Sequence, residues 1–271
     1  MTKALISGEK EIFSNKLFHM DCMELISRLP DSSVSLILTD PPYGIRYQNK
    51  FAQHPHPQIA GDNGIDYERF AKECYRILQN NAHAYFFTRF DSYPYHYGCL
   101  IKAGFSIKNC MVVEKGNIGG IGDLHGSYAN NAEWVIFCQK GRRVFNQTTL
   151  LRNRKKEGTK FHPGGNPSKE YKTRFNACWF GDEYPKATHN AIWQREHQIS
   201  HPTVKNEDFL SWLIQISSQP GELVFDGFMG SGSTAVAAIM TGRRYLGAEI
   251  DRGYFELAEK RIAQAMMEDS D

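Results

Sequence analysis

The 271-residue sequence predicts an α/β fold in which helices cover both faces of a mostly parallel, twisted sheet. The run Val34–Thr39 is almost continuously apolar, as is typical of a strand that is buried on both faces. Strand-like and helix-like stretches alternate along most of the chain, which favours parallel strands joined by helices. Hydrophobic residues make up 41% of the sequence, enough for a substantial core.

The individual elements follow from apolar spacing, which recurs every three to four residues in helices and forms short runs in strands. Before residue 140, the sequence predicts strands at 16–20, 34–39, 83–88, 105–113 and 132–139, and helices at 21–29, 67–78 and 91–103. After residue 200, it predicts helices at 207–218, 232–240 and 254–267, and strands at 223–226 and 245–249. Residues 44–66 are rich in His, Pro, Gln and Gly and are expected to form a long mobile loop.

The middle of the chain differs in character from both ends. From Gly141 to about residue 197 the periodicity weakens, and Gly, Pro, Asn and Lys dominate. Between Arg142 and Phe175 there are ten Lys or Arg and two acids, a net charge of +8, whereas the whole chain carries +2. We therefore expect three parts, at 1–140, 141–197 and 198–271, of which the middle one is inserted.

The basic insert indicates an anionic polymer as partner, and nucleic acid is the favoured one. A solvated surface arm is the alternative. If the insert binds nucleic acid, its basic residues are expected to contact the phosphates, and the insert is expected to read the sequence. These candidate contact residues are Arg142, Arg143, Arg152, Arg154, Lys155, Lys156, Lys160, Lys172 and Arg174.

A glycine-rich segment near the C-terminal end is typical of a nucleotide-cofactor loop. The strand predicted at 223–226 runs into Gly230-Ser231-Gly232-Ser233-Thr234-Ala235, and a helix follows. Such a turn lets backbone and a helix N-terminus approach a ligand closely. Glu249 ends the next strand, seventeen residues after Gly232, where a carboxylate that binds ribose hydroxyls is expected. A phosphate-binding P-loop would need Lys in place of Ser233, and a plain strand-to-helix turn is the remaining alternative.

Asp40-Pro41-Pro42-Tyr43 follows directly after the apolar run Val34–Thr39. The prolines lack N–H donors, which leaves carbonyl oxygens nearby free to accept hydrogen bonds. Asp40 adds a carboxylate acceptor, and Tyr43 adds a flat aromatic face. Acceptors that grip the N–H bonds of an exocyclic amino group would localise its lone pair, and Tyr43 would stack on the extruded base. A structural turn at the strand end is the alternative.

With these motifs, the chain resembles the S-adenosylmethionine-dependent amino-group DNA methyltransferases in their β arrangement, in which DPPY precedes FxGxG. Phe228-Met229-Gly230-Ser231-Gly232 matches FxGxG. Asp21 lies in a segment that resembles the family's GDC motif, although Met20 replaces its glycine. His201-Pro202-Thr203-Val204-Lys205-Asn206 resembles HPTxKP, with Asn206 in place of proline. The family resemblance covers roughly 16–140 and 193–262.

The resemblance implies a Rossmann-like methyltransferase fold and direct methyl transfer to N6 of a flipped adenine in double-stranded DNA. It assigns catalysis to Asp40, Pro41, Pro42 and Tyr43, and target recognition to 141–197. The catalytic part is 1–140 and the cofactor-binding part is 198–271. Thr203 and Lys205 are expected at the carboxylate of the cofactor. Asp226 is expected to order the cofactor loop or to contact the methionine end, and a cap of the strand end is the alternative. The full set expected to bind S-adenosyl-L-methionine is Asp21, Thr203, Lys205, Asp226, Phe228, Gly230, Gly232, Ser233 and Glu249.

Several alternatives stay open at this point. N4-cytosine methylation is the nearest, although Ser-Pro-Pro-Tyr is the commoner form in that group and Asp40 favours adenine. A nucleic-acid-binding protein without catalysis, and methylation of an amine in RNA or protein, are further alternatives. The resemblance also allows a homodimer and a cognate restriction enzyme as partner.

Composition excludes other classes. No apolar run approaches the ~18 residues of a membrane span, and the N-terminal stretch lacks the apolar centre of a signal peptide. Six scattered cysteines without a CxxC pair favour a reducing, cytoplasmic location. Without a Cys, His or Asp cluster at ligand spacing, no metal is expected. Glu133 is interpreted as structural and Trp193 as a packing residue at the insert boundary.

Overall fold

The computed structural model describes residues 13–43, 65–116, 126, 128, 130–146, 177–180, 185–189, 191–197 and 204–268. Within them, eight strands form one sheet. The strands are β1 (Lys16–His19), β2 (Val34–Thr39), β3 (Leu78–Thr88), β4 (Ser106–Glu114), β5 (Ala132–Lys140), β6 (Cys178–Trp179), β7 (Leu223–Asp226) and β8 (Arg244–Glu249).

The strand order across the sheet is β1-β8-β7-β2-β3-β5-β4-β6. From β1 to β3 every neighbouring pair is parallel, whereas β5 runs antiparallel to both β3 and β4. The predicted mostly parallel sheet is therefore confirmed. Because β1, β8, β7, β2 and β3 are mutually parallel, their carboxyl ends meet at one edge of the sheet, where open α/β folds bind ligands.

Helices connect the strands, and short polar side chains begin several of them. Asp21, Asp66 and Asn206 each accept a backbone N–H bond at a helix N-terminus, the usual role of such residues. The helices are α1 (Cys22–Arg28), α2 (Tyr67–Ile77), α3 (Tyr93–Ala103), α4 (Ala191–Glu196), α5 (Glu207–Ser217), α6 (Ser233–Met240) and α7 (Arg252–Glu268). Within the described residues, none of them has the length and apolar character to cross a membrane.

Two apolar clusters pack on opposite faces of the sheet. Leu36 and Leu38 of β2 point into the cluster that includes side chains of α5, α6 and α7. Val34 and Ile37 point into the other, which includes side chains of α1, α2 and α3. All six residues of β2 are buried, so the continuous apolar run reflects a central strand that is covered on both sides.

Apart from shifts of one or two residues at element ends and the unpredicted helix α4, the structure differs from the predicted elements at two places. β3 begins at Leu78 rather than at residue 83, because its polar residues at 79–81 extend the strand beyond the apolar run. The short strand β6 lies inside the predicted insert, yet it pairs with β4, and Trp179 is buried in the main core. Of the predicted loop at 44–66, residues 44–64 lie outside the described residues. Asp66, at its end, caps the N-terminus of α2.

Candidate active site

The two motifs of the sequence meet where β2 and β7 end side by side. Leu36 and Ile37 pair with Val224 and Phe225. At the strand ends, the hydroxyl of Thr39 donates a 2.8 Å hydrogen bond to Oδ1 of Asp226. This bond places Asp40, the next residue after Thr39, beside the loop that follows Asp226.

The Asp226 carboxylate organises that loop. Its Oδ1 also accepts a 3.0 Å bond from the amide of Phe228, and its Oδ2 accepts a 2.6 Å bond from the hydroxyl of Thr234 on α6. The side chain is buried, and this desolvation raises its pKa to about 6, although the three hydrogen bonds oppose the rise. Asp226 therefore links β2, the glycine loop and the start of α6.

The loop needs glycine for conformational and steric reasons. Gly230 and Gly232 have φ angles of 54° and 85°, in the left-handed region that favours glycine. A Cβ on Gly232 would also lie 3.0 Å from the Cβ of Ala258 on α7. The turn can thus direct backbone towards a ligand just before α6 begins at Ser233.

Glu249 at the end of β8 faces the same loop. Its Oε2 accepts a 2.7 Å bond from the amide of Gly230, and its Oε1 accepts a 2.8 Å bond from the amide of Asp251. Burial raises the pKa of Glu249, with these backbone bonds opposing the rise. Each carboxylate oxygen has a second lone pair, so the site suits a ligand that presents a pair of hydroxyl groups.

Asp21 lies at the end of the neighbouring strand. The amide of Met20 donates to the carbonyl of Glu249, which brings the ends of β1 and β8 together. The Oδ1 of Asp21 accepts bonds of 2.7 and 3.2 Å from the amides of Met23 and Glu24 as the cap of α1. The structure therefore places Asp21, Glu249 and the glycine loop on adjacent strand ends, a donor and acceptor set that fits an adenosine-bearing cofactor.

On the other side of β7, the hydroxyl of Tyr43 donates to Oδ1 of Asp40. Burial, followed by the charge of Asp40, raises the pKa of Tyr43 well above its usual value, so the phenol stays protonated. Its ring centroid lies 6.2 Å from that of His96, which stacks on Tyr67 at 3.8 Å. The aromatic side chains of His96 on α3 and Tyr67 on α2 therefore pack beside Tyr43 of the proline motif.

Lys205 takes a position that the sequence does not indicate. Its Nζ lies 2.8 Å from Oδ2 of Asp40 and 3.6 Å from Oε2 of Glu133. Burial favours the neutral form, but the two carboxylates outweigh it and raise the pKa of Lys205 above its ordinary value. The HPTxKP-like motif predicts a contact between this lysine and the cofactor carboxylate, whereas in the structure the lysine contacts Asp40 of the other motif.

The remaining residues that were predicted to bind the cofactor or act in catalysis are Phe228, Ser233, Pro41, Pro42 and Thr203. The ring of Phe228 packs at 5.4 Å against Phe70, and the hydroxyl of Ser233 donates to Glu207 at 3.1 Å. Pro41 and Pro42 precede Tyr43 within the described residues, whereas Thr203 lies outside them.

The basic candidates are not brought to this edge in the part of the chain that is described. Arg142 and Arg143 follow β5, whose last residue, Lys140, pairs with Ala82 near the start of β3. Arg143 forms a 2.8 Å ion pair with Glu222 at that opposite edge. The remaining basic candidates lie outside the described residues: Arg152, Arg154, Lys155, Lys156, Lys160, Lys172 and Arg174.

Sequence reasoning missed the position of Glu133, which it interpreted as structural. Glu133 is buried on β5 and lies within ion-pair distance of both Lys115 and Lys205. A buried acid within a strand of apolar neighbours is the signal that could have singled it out. Over the described ranges, no group of three or more His, Cys, Asp or Glu side chains is arranged to hold a metal ion.

The open sheet carries a glycine loop after β7, an acid at the end of β8, and Asp-Pro-Pro-Tyr after β2. Together these features define a Rossmann-like amino-group methyltransferase. Residues 34–260 match the family model described as DNA methylase, which covers N6 and N4 amino-methylases. The chain therefore belongs to this DNA methylase family, whose methyl donor is S-adenosyl-L-methionine.

Two relatives are similar over most of the chain. The type II methyltransferase M.HinfI of Haemophilus influenzae is 27% identical, over 93% of this chain and 69% of the relative. The DNA adenine methyltransferase YhdJ of Escherichia coli K12 is 28% identical, over 91% of this chain and 82% of the relative.

Solved structures share the fold. The M1.HpyAVI–SAM complex superposes with a TM-score of 0.61 at 21% identity, over 91% of this chain and 98% of that one. The cytosine-N4-specific PvuII DNA methyltransferase superposes with a TM-score of 0.62 at 14% identity, over 95% and 92%. These likenesses confirm the Rossmann-like fold, and they include a cytosine-N4 enzyme.

Proposed function

We propose that the protein methylates the N6 amino group of an adenine that is flipped out of double-stranded DNA. The observation that carries this proposal is the Asp40 carboxylate, held beside the glycine loop by Tyr43 and Lys205. The similarity to YhdJ, which is described as a DNA adenine methyltransferase, supports the choice of base.

In the proposed mechanism, Asp40 and the carbonyl of Pro41 accept hydrogen bonds from the two amino hydrogens. This localises the lone pair of a poorly nucleophilic amine and orients it, so catalysis comes from positioning and electrostatics. Asp40 has acceptor capacity left for this role, because each carboxylate oxygen carries two lone pairs. Bound S-adenosyl-L-methionine supplies an electrophilic methyl group. The methylated nitrogen then loses its extra proton to water.

The cofactor is proposed to lie along the ends of β1, β8 and β7. Glu249 would accept bonds from the ribose hydroxyls, while Asp21 lies near the adenine. Gly230 and Gly232 let the backbone approach closely, and Asp226 keeps the loop in shape. Because Thr39 and Asp226 are hydrogen-bonded, this placement sets the methyl donor against the acceptor held at Asp40.

Recognition of DNA is proposed for the basic region 141–197. Its Lys and Arg from residue 152 onwards would contact phosphates, while Tyr43 would stack on the flipped base. M.HinfI is described as a type II methyltransferase, which supports the further proposal that a cognate restriction enzyme accompanies the protein. A homodimer is a further proposal that comes from the family resemblance alone.

N4 of cytosine is the second candidate substrate, because the PvuII enzyme of that specificity shares the fold. Both bases present an exocyclic amine, so the same acceptors could serve either. The test is to incubate the protein with DNA and isotopically labelled cofactor, and to identify the labelled nucleoside by mass spectrometry. Label in N6-methyl-2′-deoxyadenosine is expected. Label in N4-methyl-2′-deoxycytidine, or no label in either nucleoside, would overturn the proposal.

A further inference from the structure

A row of four alternating charges lies behind the proline motif. Lys115 Nζ lies 3.2 Å from Oε1 of Glu133, and Oε2 of Glu133 lies 3.6 Å from Nζ of Lys205. Lys205 Nζ then lies 2.8 Å from Oδ2 of Asp40. The side chains of Glu133 and Lys205 are only 7% and 11% exposed, so solvent screens their interaction weakly.

The four residues come from separate parts of the chain. Lys115 follows β4, Glu133 belongs to β5, and Asp40 follows β2. Lys205 precedes α5, and its backbone forms a bridge with Thr188, which lies in the part 141–197. The ammonium also lies 4.6 Å above the ring of Phe87 on β3, which favours a cation on that face.

The prolines explain why Asp40 needs such partners. Asp21 and Asp226 each accept a bond from the backbone amide two residues further on, at Met23 and Phe228. The corresponding residue after Asp40 is Pro42, which has no N–H to donate. The motif that leaves carbonyl oxygens free therefore also removes a usual means of fixing the carboxylate. In this structure, side chains of Tyr43 and Lys205 take that place.

We propose that Lys205 is a positioning residue for Asp40, and that Glu133 holds the ammonium in this position. The inference rests on the proposed role of Asp40, but it holds for either target base. An ammonium shared by two carboxylates orients Asp40 without fully neutralising it. Asp40 thus keeps its strength as an acceptor for the substrate amine. This assignment replaces the expected contact between Lys205 and the cofactor carboxylate.

The first test replaces Lys205 by Met, which keeps the length of the side chain but removes its charge. The expected result is a fall in kcat of about 10²-fold, the effect typical of a slightly misplaced reacting group. The Kd for S-adenosyl-L-methionine, measured by calorimetry on the same sample, should stay at the wild-type value. Lys186→Met is the matched control, because Lys186 forms its ion pair with Glu114 and not with Asp40.

The second test asks whether the charge of Glu133 matters. In Lys205→Met, two carboxylates face each other without the cation between them, so Asp40 is pushed from its place. Adding Glu133→Gln removes this repulsion, and the double variant should recover several-fold in kcat over Lys205→Met. A residue with a purely structural role would give no such recovery, because a second core substitution would add to the damage.

The outcomes separate this inference from the proposed function. Normal kcat with weakened cofactor binding in Lys205→Met would overturn it, since the lysine would then belong to the cofactor site. Purely additive losses in the double variant would also overturn it. The base methylated by the wild type decides the proposed function independently, and turnover of the variants is measured on that base.

Discussion

The hydroxyl of Thr39 and the carboxylate of Asp226 are joined by a 2.8 Å hydrogen bond, although 187 positions separate them in the chain. Each residue is the last of its strand, and both are buried. The bond fixes the start of the proline motif against the start of the glycine loop. The relative placement of the proline motif and the glycine loop therefore depends on the buried carboxylate of Asp226. The ionisation of this carboxylate affects the free energy of unfolding.

Asp226→Asn should change how stability depends on pH. Burial raises the pKa of Asp226 from 3.8 to about 6 in the folded protein. Between these values the unfolded chain loses the proton while the folded protein keeps it, so ionisation lowers the free energy of unfolding as pH rises. The loss is complete above pH ~6 and amounts to about 3 kcal/mol, at about 1.4 kcal/mol per pKa unit.

The asparagine variant cannot ionise and lacks this decline. Because part of the loss occurs below pH 4, urea denaturation between pH 4 and 7 should show the wild type losing about 2.4 kcal/mol relative to Asp226→Asn. The amide also lacks one acceptor for Thr39 or Thr234, which adds a constant offset that does not vary with pH. Parallel stability curves for the two proteins would contradict the prediction.

Asp40→Ala should remove methyl transfer while cofactor binding stays nearly intact. Asp40 is proposed to contact the substrate amine, and loss of one preorganised polar partner reduces the rate by about 10²–10³-fold. The cofactor rests instead on the ends of β7 and β8. Turnover on DNA and calorimetric affinity for S-adenosyl-L-methionine are measured together. Near-normal turnover would show that Asp40 does not act on the amine.

Glu249→Ala should have the opposite effect and weaken cofactor binding. Hydrogen bonds to a charged acceptor contribute about 1.5–3 kcal/mol, so affinity should fall roughly tenfold to a hundredfold. Glu249→Gln is the matched control, since its oxygen can still accept the amide of Gly230 and preserve the loop. An unchanged Kd for S-adenosyl-L-methionine in the alanine variant would show that Glu249 only shapes the loop.

Replacing Lys155 and Lys156 by Gln should weaken DNA binding for all sequences about equally. Lysine contacts phosphates as a point charge, so two lost contacts should reduce the salt slope of log K by about 1.8, at roughly 0.9 per contact. Arg143→Gln is the control, because Arg143 pairs with Glu222 at the opposite edge of the sheet. If the salt slope of the lysine variant equals that of the wild type, these lysines do not contact DNA. The insert would then be interpreted as a solvated surface arm.

The sequence predicted best where one local signal determines the structure. The strand Val34–Thr39 is found with its predicted bounds, because its buried residues form one apolar run. Strand β7 is likewise found as predicted, between a turn and the glycine loop. Strand β6 was not predicted, since two residues carry no periodicity and are ordered only by pairing with β4.

Contacts between distant residues account for what the sequence could not predict at the site. The motifs single out Asp40 and Lys205 separately, but nothing local indicates that an ion pair joins them. Glu133 joins them only because antiparallel β5 returns to the edge where β2 ends. Such contacts depend on strand order, and strand order is a property of the whole fold.

The adjacency of β2 and β7 also has a consequence during protein synthesis. On the nascent chain, β2, which leads into Asp40, cannot pair with β7 until residues 223–226 have left the ribosome. The basic region 141–197 is made before that moment, because it lies between the two strands in the chain. A truncated translation product that contains only the first motif therefore cannot assemble the site.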